Sequence, residues 1–167
     1  MKADHGDHRG DWFEAAPFGP VDETGRAAEE DGLRFSCTMC GNCCTGALGT
    51  VALEAADVDA LANRLGLDRD DFVERYTKPM DDGLSLNERL TAFGWDCVFL
   101  DRASVPGKAV CGMYEDRPLQ CRTWPFWKRN LESPSTWAAA SRTCPGMNRG
   151  PLHGAAAVRL TRDKSPI

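Results

Sequence analysis

Residues 37–44 read CTMCGNCC, four cysteines within eight positions, the last two adjacent in the chain. Such a stretch is a disulfide knot, a metal-chelating loop or a redox catalyst. A single buried cysteine is ordinary core. Four crowded thiolates repel one another unless a cation holds them together, and metal binding supplies that cation. The C-x2-C spacing lets two sulfurs converge on one ion because the intervening turn folds back, and Gly41 eases that turn. Neighbouring side chains diverge in helix or strand, so Cys43 and Cys44 are expected to serve different ions or a larger cluster. Residues 37–44 therefore do not close a site alone. Cys97, Cys111, Cys121 and Cys144 must complete it, which ties the loop to the far half of the chain.

The rest of the composition fits one small soluble domain. At 167 residues the chain most naturally builds a single core. It is 42% hydrophobic with a negative mean hydropathy. No run approaches the ~18 apolar residues of a membrane span, and the polar N-terminus lacks the apolar region of a secretory signal. The expectation is a cytoplasmic protein with no membrane partner. That compartment keeps thiols reduced and disfavours a disulfide framework. The net charge of -5 divides into -10 over residues 1–90 and +5 over residues 91–167. Neither half has the dense basic footprint of a nucleic-acid binder.

Three regions are expected: a poorly ordered leader over residues 1–32, a cysteine-cluster domain over 33–150 and a tail over 151–167. In the leader, His5 and His8 have metal-like spacing but read as a solvated terminus. The leader's apolar patch, DWFEAAPF, either docks on the body or stays a sticky tail. Past the cysteine loop, GTVAL suggests a strand. Val58, Leu61 and Leu65 follow a helical period that Gly66 ends. Asp68 and Asp71 suit the start of a second helix, which Pro79 would stop. LSLNERL, CVFLD and AVCGMY read as strands, with a Pro-Gly turn between the last two. Pro118 suits the opening of a helical turn. The segment from about 150 shows no clear period. The fold class is α+β, a small single domain, loop-rich around a cysteine-ligated metal centre.

Zinc is usually held by two separated C-x2-C or C/H knuckles, and no second C-x2-C occurs here. Iron–sulfur clusters favour compact C-x2-C-x2-C runs completed by a remote cysteine, often before proline. CTMCGNC and Cys144-Pro145 match that pattern. The spacing therefore points to an iron–sulfur cluster, a [4Fe–4S] centre first, with zinc as the alternative. The first ligand set is Cys37, Cys40, Cys121 and one of Cys43 or Cys44. Cys97, Cys111, Cys144 and the other of the pair form a second site or an outer shell. Four thiolates around either centre leave a charge of about -2, which Arg117, Arg122 and Arg142 would offset.

These residues resemble a known family. FSCTMCGNCCTG, CVFLD, CGMYEDRPLQCRTWPF and CPG together look like the YkgJ-type cysteine-cluster family, the CxxCxxCC zinc- or iron-chelating domain. The resemblance covers roughly residues 35–146. It implies metal ligation by Cys37, Cys40, Cys43, Cys44, Cys97, Cys111 and Cys121. Cys144 matches only the longer members. The family's Tyr-x2-Arg-Pro element falls on Tyr114, Arg117 and Pro118. Tyr114, Arg117 and Arg122 are accordingly taken as residues that hold the cofactor. The resemblance implies a metal-binding protein whose relatives often carry the label Fe–S oxidoreductase, with an unnamed redox or protein partner. A non-catalytic zinc-binding structural or interaction domain is the competing class. A flagellin lysine methylase shares this type of domain, which makes a methylation accessory the remote alternative.

No catalytic residue can be named. Glu115 and Asp116 read as turn residues before a Pro-initiated helix, and Asp57 and Asp59 as capping and dipole residues. Trp124, Phe126 and Trp127 read equally as cluster shielding or as core. Nucleotide-loop, nucleophile-elbow and zincin motifs do not occur.

Overall fold

The helix with the clearest sequence period is α1, Ala55–Leu65. It buries Val58, Leu61 and Ala62 and ends at Gly66 in the left-handed conformation, with φ 67°. At its start Glu54 N–H donates to Asp57 Oδ2 at 3.1 Å. Helix α2, Arg69–Tyr76, is capped by Asp68, whose carboxylate accepts from Asp71 N–H at 2.8 Å. Both helices lie where the sequence puts them. The computed structural model describes residues 10–165 and Ile167, so His5 and His8 fall outside the described residues. The fold is α+β, with five α-helices and four small antiparallel sheets among those residues.

The strands are shorter and more scattered than the sequence suggests. β2 (Ala52–Leu53), β4 (Gly83–Leu86) and β3 (Thr77–Met80) form a three-stranded sheet in the order β2-β4-β3. Pro79 does not stop α2, which ends at Tyr76; it sits in β3. β3 is an edge strand, where a missing N–H costs no ladder bond. LSLNERL divides between β4 and β5 (Glu88–Thr91), and CVFLD divides between β6 (Gly94–Cys97) and β7 (Leu100–Asp101). β5 pairs with β6, and β7 pairs with β8 (Val110–Cys111). A short helix, α3 (Leu119–Arg122), follows Pro118 and carries Cys121.

The first and last strands meet. β1 (Gly32–Phe35) pairs antiparallel with β9 (Met147–Gly154), and α5 (Ala155–Lys164) continues from it. The segment past residue 150, which has no legible period, is thus strand and helix. Only Ala155 and Val158 of α5 are buried, too sparse a stripe to read. The DWFEAAPF patch docks on the body: Phe13 is fully buried and Trp12 Nε1 donates to Leu131 O at 2.7 Å.

Two hydrophobic clusters result. One gathers Phe13, Leu33, Phe126, Leu131, Cys144, Met147 and Val158 around Trp137, the largest fully buried side chain, which projects from α4 (Pro134–Ser141). The other joins Val58, Leu61 and Phe72 to Leu86 and Phe99, with Cys97 packed against it. No helix among the described residues is long and apolar enough to cross a membrane.

Candidate metal centre

Four hydrogen bonds deliver the cysteine loop to the later segments. Ser36 N–H donates to Gly146 O at 3.0 Å, which sets the start of the loop against the Cys144-Pro145-Gly146 turn. Gly146 is required there, since a Cβ would lie 2.1 Å from Ser36 O. Ala109 N–H donates to Met39 O and Cys97 N–H to Cys44 O, both at 2.8 Å. Asn42 Nδ2 donates to Thr143 O at 2.6 Å. Cys144, Cys111 and Cys97 are thereby brought to the loop. Cys121 arrives on α3. There Gln120 accepts from Ala52 N–H at 2.9 Å and donates to Thr50 O at 3.0 Å, while Leu119 N–H donates to Asp57 Oδ1 at 3.2 Å.

All eight cysteines are free thiols. Cys37, Cys40, Cys43, Cys44, Cys111, Cys121 and Cys144 line one cavity of about 70 Å³. That space would admit several waters, so it exceeds what a bare ion needs. Cys97 lines an adjoining cavity of about 430 Å³, with Cys43 and Cys44 common to both. Among the described residues no three His, Cys, Asp or Glu side chains are grouped closely enough to hold a single ion. The sulfurs ring a space rather than a point.

The adjacent pair does not diverge. Cys43 Sγ and Cys44 Sγ lie 3.5 Å apart, against the expectation drawn from helix and strand geometry. These residues are in neither element. Cys44 N–H closes a turn on Gly41 O at 2.8 Å, and Gly41 takes φ 76°. Two sulfurs bound to one tetrahedral ion at ~2.3 Å stand about 3.8 Å apart, so this pair is spaced to share a metal.

Electrostatics explain why these thiols want a cation. The hydrogen bond between the two adjacent thiols holds Cys43 down at about 7, while the same bond and burial push Cys44 up. Burial raises Cys97 to about 11 and also raises Cys111, Cys121 and Cys144. Charges on neighbouring cysteines add to each of these shifts. Each thiolate thus opposes the next, and a bound metal ion reverses the sign of that interaction.

Tyr114 and Arg117 line the cysteine cavity, with the guanidinium 3.7 Å over the Tyr114 ring and Nε donating to Tyr114 O at 2.9 Å. Arg117 lowers the pKa of Cys43, as a cation near the sulfurs should. Arg122 points elsewhere, toward Asp57 Oδ1 at 3.6 Å, and does not line the cavity. Asp116 pairs with Arg64, and Asp59 with Arg69. Trp124 and Trp127 line the cavity as an edge-to-face pair at 4.7 Å, whereas Phe126 packs in the core.

One residue escapes sequence reasoning. Thr38 lines the cavity, and its hydroxyl oxygen is buried with no hydrogen-bond partner among the described residues. A hydroxyl left so is costly unless it meets an acceptor, and metal-bound sulfur is one. A thiol-only donor set, an orphaned hydroxyl and space beyond one ion together fit a thiophilic metal centre. Nothing in the pattern CTMC distinguishes a buried threonine from a solvated one.

Comparison with known proteins bears on the same cysteines. No solved structure matches the chain. An uncharacterized protein of Methanocaldococcus jannaschii, MJ0661, is 28% identical over 96 residues, which are 58% of this chain and 47% of that one. The chain spans about half the length of this curated relative. The family described as "CxxCxxCC: Putative zinc- or iron-chelating domain" matches residues 36–145. Those bounds take in all eight cysteines and the Tyr114–Arg117 pair, and the chain belongs to the CxxCxxCC zinc- or iron-chelating family.

Proposed function

We propose that this protein carries an iron–sulfur cluster, a [4Fe–4S] centre, in its cysteine-lined cavity and serves electron transfer or cluster-dependent redox chemistry. The observation that carries this reading is that seven cysteines line a space larger than one ion, while among the described residues no three donors are grouped on a common point. Each cluster iron takes its own cysteine, so the protein sulfurs stand farther apart than on one zinc. When bound, the cluster supplies one-electron chemistry. The chain's own residues hold and shield it. Cys37, Cys40, Cys121 and one of Cys43 or Cys44 are the proposed ligands, with the other of that pair, Cys111 and Cys144 beside them and Cys97 behind. Trp124 and Trp127 exclude water, Arg117 offsets negative charge, and the Thr38 hydroxyl donates to sulfur. The eight reduced thiols suit a cytoplasmic location, with residues 33–150 as the metal-binding unit.

A zinc reading rests on a different observation, the 3.5 Å separation of the adjacent sulfurs, which suits two ligands on one ion. Anaerobic purification followed by iron, acid-labile sulfide and zinc analysis separates the two. Matched iron and sulfide in a brown protein is the expected result. Stoichiometric zinc in a colourless protein that takes up no iron on reconstitution would refute the cluster.

A further inference from the structure

The second cavity lies behind the cysteine loop, and its volume of about 430 Å³ falls in the range of small-molecule sites. Three indoles line it, those of Trp95, Trp124 and Trp127. Two charged side chains also reach it, and they differ in state. Glu88 is already neutralised: Lys78 Nζ is 2.5 Å from its carboxylate, and Gly49 N–H donates to it at 3.2 Å. Arg129 is exposed, its guanidinium lies 4.5 Å over the Trp127 ring, and no carboxylate pairs with it among the described residues. A guanidinium held over the ring still presents N–H donors to an acceptor.

We infer that this cavity binds a planar aromatic anion, with its ring among the indoles and its anionic group on Arg129. A cationic ligand meets the opposite of what it needs, because Glu88 is paired and Arg129 already covers a face of Trp127. A neutral aromatic would leave the arginine edge unused. The ring lies inward against the Cys43–Cys44 wall, and the anionic group stays at the exposed arginine, away from the thiolates. The inference stands beyond the metal reading and holds for either metal.

Flavin mononucleotide and riboflavin share one ring system and differ by a phosphate, so they separate the two halves of the inference. Titrated with the protein as isolated, flavin mononucleotide should lose fluorescence saturably as its ring stacks on indole. Riboflavin should bind at least about tenfold more weakly, the usual worth of a charge-assisted contact. Arg129→Gln should bring flavin mononucleotide to the level of riboflavin and leave riboflavin unchanged. Trp95→Leu should weaken both ligands, with circular dichroism confirming that each variant is folded. No saturable quenching by flavin mononucleotide, equal affinity for the two flavins, or an unchanged affinity in Arg129→Gln overturns the assignment. Metal analysis of the same samples reports separately on the cluster.

Discussion

The two hydrophobic clusters are built from opposite kinds of contact. The cluster around Phe72 draws all its buried members from residues 58–99, whereas the cluster around Trp137 reaches from Phe13 to Val158. The first is assembled by neighbours in the chain, the second by segments more than a hundred residues apart. The cysteines lie between them. Cys144 is a member of the long-range cluster, and Cys97 packs against the local one. A metal held by the loop and α3, with these two cysteines flanking it, acts as a clasp between the clusters, so its removal should cost more than any single side chain.

That comparison can be broken most severely by taking the metal away. Removing the metal should lower the unfolding midpoint by more than any single core truncation does, because metal binding is coupled to folding. Thermal unfolding followed by calorimetry should then resolve two transitions in place of one. A single unshifted transition would show that the clusters cohere without the metal.

Core truncations come next. Trp137 is fully buried, stacks on Phe126 at 5.9 Å and donates from Nε1 to Asn148 Oδ1 at 2.7 Å. Trp137→Ala and Phe72→Ala should each cost about 3–5 kcal/mol in urea unfolding. In the metal-free protein, Trp137→Ala should move one transition and Phe72→Ala the other. Both mutations shifting the same transition would merge the two clusters into one cooperative unit.

A smaller effect tests the hairpin that carries Cys97. The Asp96 side chain is fully buried, and Arg102 bonds it through Nε at 2.8 Å and Nη2 at 2.9 Å. Those bonds hold the carboxyl at about 2, below the ordinary 3.8. A depressed carboxylate stabilises the fold above its unfolded value, and that contribution is lost as pH falls through 3.8 toward 2. Arg102→Ala should cost about 3 kcal/mol near neutrality. It should also flatten the difference between pH 4 and pH 2 seen in the wild-type protein, measured by denaturant titration at each pH. The smallest test pairs two helix caps, Asp68 on α2 and Ser133 on α4, whose side chains accept from Asp71 N–H and Thr136 N–H. Each cap mutated to alanine should cost about 1 kcal/mol, one from each cluster.

What was legible in the sequence follows the same division. Val58, Leu61 and Leu65 reveal α1 because its burial stripe is complete and Gly66 marks its end. The long-range cluster has no such stripe. β9 buries Met147 alone, and its place depends on β1 more than a hundred residues earlier. LSLNERL looks like one strand because pattern cannot show that Asn87 turns the chain from one sheet to another. At the metal centre, the convergence of distant cysteines is readable from their number and spacing. The direction of Cys44 is not, since it depends on a turn closed by Gly41 and on a bond from Cys97.

The pairing of β1 with β9 also sets a schedule. Cys37 leaves the ribosome 107 residues before Cys144, and the Ser36 to Gly146 bond that brings them together cannot form until both exist. At ~5–20 residues per second, that interval is roughly 5–20 s of synthesis. For that time the loop lacks its Cys144 neighbour, although Cys97, Cys111 and Cys121 have already followed it out. The full seven-cysteine cavity therefore closes only late in synthesis, and until then the loop's thiols rely on the reducing power around the chain.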